Sequence, residues 1–148
     1  MSEPSQMKAP EYLHLLPNGP FLQLKNVPSK AVLVIESEVA LDWEEQVCEW
    51  LVKSCCLYAI TWGTGCNRWH DSIDLANIKK FKGKEIPEDG FVMTTWHDDP
   101  LQEAFWFCGN CAVHPTVEIE KVYIVHIAQT ARGSDLIAQY EAAQVETD

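Results

Sequence analysis

Basic side chains are scarce. Eleven Lys and Arg stand against 22 Asp and Glu in 148 residues, a formal net charge of −11 and a pI near 4.8. Nucleic-acid binding by counterion release needs a basic surface. The one basic cluster, Lys79, Lys80, Lys82 and Lys84, has no aromatic ladder beyond Phe81, and charge runs of that kind are usually solvated faces. No nucleic-acid partner is expected; the acidic excess suits fast association with a basic protein. Long apolar runs are absent as well, none approaching the roughly 20 residues that span a bilayer, so no membrane role is expected. Met1 to Pro10 shows no basic stretch followed by an apolar one, so no secretory signal is read and the expected location is the cytoplasm.

Phosphate-cradling patterns are also missing. The segment after the first apolar run is Glu36-Ser37-Glu38-Val39-Ala40, and two glutamates where a pyrophosphate would sit oppose a dinucleotide fingerprint. Gly63-Thr64-Gly65 is too short to restore one. No Walker lysine, nucleophile-elbow serine or His-Glu-x-x-His motif occurs. No cofactor is expected.

What remains is an ordinary globular composition, 47% apolar and 22% charged, in the length of one domain. Residues 1–30 read as an N-terminal arm or hairpin packed on the domain, turning at Pro17-Asn18-Gly19-Pro20, where proline fixes φ and Asn-Gly accepts positive φ. Residues 31–148 read as a single α/β domain with a C-terminal helix. Strands are expected at 31–36, 57–62, 91–96 and 122–127. Helices are expected from an Asp42 cap to about Ser54, from Ser72 to about Phe81, from an Asp99 cap through Pro100 to His114, and from a Ser134 cap to about Val145. The second is the weakest. Alternating strands and helices force right-handed crossovers. The fold class is therefore α/β: a small three-layer sandwich with a mostly parallel sheet of about four strands, flavodoxin- or Rossmann-like in outline.

In open sheets of this kind, ligands bind at the carboxyl ends of the strands. Those ends carry Glu36 and Ser37, then Trp62 to Thr64, then His97, Asp98 and Asp99, then His126 and Gln129, with Trp69, His70 and Asp71 close by in sequence. His97 or His70 is the candidate general base, with Asp98 or Asp71 orienting the ring. His126 is a third catalytic candidate. Trp62, Trp69, Trp96, Asp71 and Asp99 are candidate ligand or partner contacts. Two histidines with carboxylates also suit a divalent cation. The plainer readings are a helix cap for Asp99, a loop neighbour for Asp98, a satisfied core or edge histidine for His126, and an aromatic core for the tryptophans.

Six cysteines do not imply disulfides without a secretory signal. Cys108-Gly109-Asn110-Cys111 superficially resembles a thioredoxin active site. Its expected place is the C-terminal half of a helix, where the dipole opposes thiolate formation, and both cysteines fall on the apolar stripe. Zinc held by Cys108, Cys111 and His114, with Cys66, matches no known knuckle. No metal is expected, and those residues remain its weak candidates.

The stretch VMTTWHDDPLQEAFWFCGNCAVHPTVEIEKVYIVHI, residues 92–127, resembles an uncharacterised family of small bacterial proteins, a domain of unknown function. The resemblance covers about Ala31 to Ile127, and Met93-Thr94-Thr95-Trp96-His97 is its most specific piece. It implies a bacterial origin and the strand–helix–strand order. It supplies no activity and no catalytic residue.

Two readings follow. The favoured one is a binding protein without catalysis, immunity- or antitoxin-like or part of a defence or regulatory complex, acting by protein–protein contact; its mark would be a contiguous acidic and aromatic surface. The alternative is an enzyme, or a sensor of a nucleotide-like ligand, that stacks its ligand on Trp62 or Trp96 beside His70, His97 and His126. Its mark would be a concave pocket holding at least two of those histidines.

Overall fold

A computed structural model describes residues 8–145. The apolar run at 31–35 forms β2 (Ser29–Ile35). Its side chains alternate, with Ala31, Leu33 and Ile35 entering one core and Val32 and Val34 another. Burial on both faces explains why the run is apolar without interruption. β3 (Cys56–Gly63), β4 (Met93–His97), β5 (Lys121–Ile127) and β1 (Pro10–Leu15) complete a five-stranded, all-parallel sheet in the order β1-β5-β2-β3-β4. α1 (Leu41–Lys53) and α2 (Cys66–Lys80) bury Trp43, Val47, Leu51, Trp69 and Ile73 against one face. α3 (Leu101–Asn110) and α4 (Gly133–Gln144) bury Phe105, Cys108, Leu136 and Tyr140 against the other. The architecture is the expected α/β sandwich with a fifth strand. Among the described residues no helix is long and apolar enough to cross a membrane.

The fifth strand corrects the expected hairpin. The turn itself forms: Gly19 N–H donates to Leu16 O at 2.9 Å, and Asn18 takes φ 61°, as the third residue of a type II turn must. Its two flanks do not pair with each other. β1 lies parallel to β5, with His14 opposite His126. The segment after the turn crosses α1, where Phe21 stacks on Trp50 and the Trp43 and Trp50 indoles donate to Gly19 O and Leu22 O, both at 2.8 Å. The irregular arm is thus residues 16–28, while 10–15 belongs to the sheet.

Helix starts also shift. α2 begins six residues before Ser72, because Gly65 at φ 67° turns the chain directly into a helix whose buried stripe is Cys66, Trp69, Ile73 and Ala76. Asp42, Asp99 and Ser134 do not cap: the N-cap positions are Ala40, Pro100 and Arg132, none with a side-chain cap bond. Asp42 and Asp135 instead sit in first turns, where the helix dipole favours a carboxylate. At its other end α3 is closed from outside, since Lys30 Nζ donates to Cys108 O at 2.6 Å and Ala112 O at 3.2 Å. Burial of that ammonium pushes its pKa down.

The connections set the candidate site. From β2 the chain steps outward to β3 and β4, then returns past both to place β5 on β2's other side. The carboxyl ends of β2 and β5 therefore flank a switch point, with α1 leaving to one layer and α4 to the other, and such crevices are where open sheets bind ligands.

Candidate functional site

At the switch point the chain closes a polar network on itself. Glu36 follows β2, with its N–H on Ile127 O at 2.9 Å. His126, fully buried in β5, holds Nε2 2.7 Å from Glu36 Oε1 and Nδ1 2.6 Å from Tyr12 Oη. Tyr12 Oη also accepts the Arg132 N–H at 3.1 Å, so the phenol proton goes to Nδ1 and Nε2–H donates to the Glu36 carboxylate. The Arg132 guanidinium bonds to the second Glu36 oxygen and to Asp135. His14 sits beside His126, ring centroids 5.8 Å apart, with Nε2 2.7 Å from Ala128 O. Burial pushes the Glu36 carboxyl up, but the hydrogen bonds from His126 and Arg132 and the Arg132 charge outweigh it and hold the group below the usual carboxylate range. Burial raises the Tyr12 phenol. The chain of groups has the form of a proton relay, yet both His126 nitrogens are engaged. What the network does is tie β1, β5, β2 and the start of α4 together.

Trp69-His70-Asp71 lies in α2 and Trp96-His97-Asp98 at the end of β4. Thr94 faces α2, its Oγ1 on Asp74 Oδ1 at 2.9 Å. Met93 and His97 face α3, where His97 lies 4.9 Å from the Phe107 ring. His70 rides on α2, so His70 and His97 lie on opposite faces of the sheet. The Asn77 Oδ1 bond to Val92 N–H and the Asp74 bond to Thr94 run α2 antiparallel to β4. Four residues back along the helix, about 6 Å, matches two residues forward along the strand, about 6.7 Å. His70 is therefore level with Trp96, which shares the Thr94 face.

His97 is half-buried, which lowers its pKa, and its Nε2 is 3.0 Å from Thr95 Oγ1. His70 Nδ1 lies 3.0 Å from Asp71 Oδ1 and 3.9 Å from Asp74 Oδ2. Those three residues form the one grouping among the described residues whose atoms, all within 4.8 Å of one another, are spaced to hold a metal ion. Trp69 is core. Trp62 donates Nε1–H to the Asp99 carbonyl at 2.6 Å, leaving the carboxylates of Asp98 and Asp99 exposed. Trp96 keeps 46% of its surface exposed.

The cysteine candidates do not converge. Cys108 is buried under Tyr140 Oη, and burial pushes its thiol pKa up; Cys111 is exposed just beyond α3. His114 donates Nε2–H to Phe91 O at 2.8 Å and accepts at Nδ1 from the Thr116 and Val117 N–H groups, so neither nitrogen is open to zinc.

Sequence reasoning missed Tyr12, His14 and Arg132, although polar Tyr12 and His14 alternating with leucines mark one face of a strand. It also missed Glu44, buried on α1 and held by Arg68 Nε and Nη2 at 3.0 and 2.8 Å and by Ser72 Oγ at 2.8 Å. Its position next to Trp43 on the apolar stripe was the available signal.

Three cavities open away from the switch point. One of about 370 Å³ runs beside β4, with Ile78, Ile86, Phe91 and Met93 as its apolar wall and Asp74 and Thr94 on its polar side. Another of about 300 Å³ lies on the outer seam of α1 and α2, between Glu49, Lys53, Lys79 and Lys80, and a third of about 350 Å³ lies by Trp50 and Leu22. No histidine lines any of these three.

The sequence model of Domain of unknown function DUF7684 matches residues 10–143. The chain belongs to that family. The DUF7684 match reaches beyond the resembling stretch at both ends, starting where β1 starts and stopping within α4, so the family unit contains the whole five-stranded sheet. No curated protein and no solved structure matches the chain.

Proposed function

We propose that this DUF7684 chain is a non-catalytic binding module of the bacterial cytoplasm, of the immunity or regulatory kind, which recognises a basic protein. The observation that carries the reading is the surface at the end of β4. Trp96 stands exposed there, level with His70, with Asp71 and Asp74 on the α2 side and Asp98 and Asp99 following the strand. An exposed tryptophan inside a carboxylate rim suits a buried anchor surrounded by charges that speed encounter. The polar groups at the switch point support the same reading, since they are engaged with one another. The candidate histidines support it too: His70 and His97 are separated by the sheet and none lines a described cavity. Native mass spectrometry of the protein purified from its host tests it. A stoichiometric protein partner released by raising salt is the expected result. A retained metal or nucleotide, lost on His97→Ala, would overturn the proposal in favour of chemistry at the strand ends.

A further inference from the structure

We infer that β4 accepts an added strand: an extended basic segment of the partner pairs with its free edge and places an apolar side chain in the groove beside it. The inference rests on the binding-module reading and specifies its geometry. Among the described residues β4 pairs with β3 alone. Thr61 Oγ1 donates to Thr95 O at 3.3 Å and Cys66 Sγ to His97 O at 3.6 Å, so Thr95 and His97 turn their carbonyls inward. In a parallel strand each residue points its N–H and C=O to the same side and its neighbours point theirs to the other. Thr94 and Trp96 therefore present their backbone groups outward.

Exposed edges are normally blunted with proline, lysine or a bulge. β1, at the opposite edge, begins at Pro10. β4 reads Met-Thr-Thr-Trp-His, without proline or lysine and without a shift in its register to β3. Beside it the 370 Å³ groove is walled by Ile78 and Phe91, exposed by 46% and 45%. An edge that offers main-chain hydrogen bonds, with an apolar slot for alternate side chains, is the geometry of strand addition.

Charge selects the occupant. Asp71, Asp74, Asp98 and Asp99 border the Trp96 end of the edge. A second copy of this chain would bring an identical acidic rim onto them, at a net charge of −11 each, and like charges across an interface are costly. A segment alternating apolar with Lys or Arg residues meets both the slot and the rim.

The test is selection of random decapeptides displayed on phage against the intact protein, followed by synthesis of the enriched sequence. Enrichment of peptides alternating apolar and basic residues is expected. The synthetic peptide should shift the amide resonances of Thr94 and Trp96, bind at least tenfold more weakly to Trp96→Ala, and bind at least tenfold more weakly when N-methylated at alternate residues. The methylated peptide leaves the protein's own folding untouched. Binding that survives methylation, equal enrichment on Trp96→Ala, or no enrichment at all overturns strand addition. A salt-labile partner in the native spectrum would still sustain the broader reading. A concentration-dependent dimer abolished by Trp96→Ala would make the occupant a second copy and overturn the basic one.

Discussion

At the carboxyl end of β5, His126, Glu36, Tyr12 and Arg132 bond to one another until each ring nitrogen and carboxylate oxygen has a partner. Along β4, aromatic, histidine and carboxylate side chains again occur together, arranged in the opposite way. Trp96 is half in solvent, two aspartates follow His97 without a cap to form, and the outward backbone groups of Thr94 and Trp96 meet no partner among the described residues. A closed polar cluster stabilises the chain that owns it. An open one leaves hydrogen-bonding and apolar capacity for another molecule. How completely the groups are satisfied separates the two regions.

The largest effect expected from breaking that contrast is at the closed end. His126→Ala removes a buried ring and strands the Tyr12 hydroxyl, and should cost about 3 kcal/mol, read as a lower urea midpoint, with peptide binding at β4 unchanged. Trp96→Ala should do the reverse. Its stability should fall by less than that of His126→Ala, about 1–2 kcal/mol, while partner affinity falls tenfold or more, measured by calorimetry.

A third test uses pH. The folded pKa of Glu36 lies below its unfolded value near 4.3, because the His126 and Arg132 bonds outweigh burial. Its contribution is therefore full above the unfolded pKa and is lost as pH falls through the folded one. Glu36→Gln should flatten that acid limb of the stability curve, and Trp96→Ala should leave it intact. The smallest effect belongs to the rim: Asp98→Asn should slow partner association a few-fold at low salt, with no change in the thermal midpoint.

The layers of the fold are legible in the sequence because β2 and β5 are apolar on both faces and the helices between them carry regular stripes. β1 is not, since a parallel pair leaves no local signal. Tyr12 and His14 find their partner, His126, only after the whole intervening chain, and the strong turn at Pro17 points instead to a hairpin. The start of α2 hides behind Gly63-Thr64-Gly65, whose left-handed glycines read as a loop although Cys66 and Trp69 already belong to the helical stripe. At the site, His126 is legible as a satisfied histidine, but Arg132 is not, because it reaches Glu36 from the next layer. Trp96 and the aspartates around it are legible as candidates, and their exposure shows only in the folded chain. That His70 and His97 fall on opposite faces is a matter of strand alternation, which shows only once α2 is aligned with β4.

The last of the five described strands in chain order sits between the first and second. On the ribosome β1 emerges about 110 residues ahead of β5, a wait of roughly 6–20 s at typical elongation speed. Until then β1 has nothing to pair with and the Ala-Val-Leu-Val-Ile edge of β2 stands open, the kind of segment that nucleates aggregation. The nascent chain should therefore depend on chaperones until β5 is released, and a truncation before Lys121 should leave β1 and β2 without their shared neighbour.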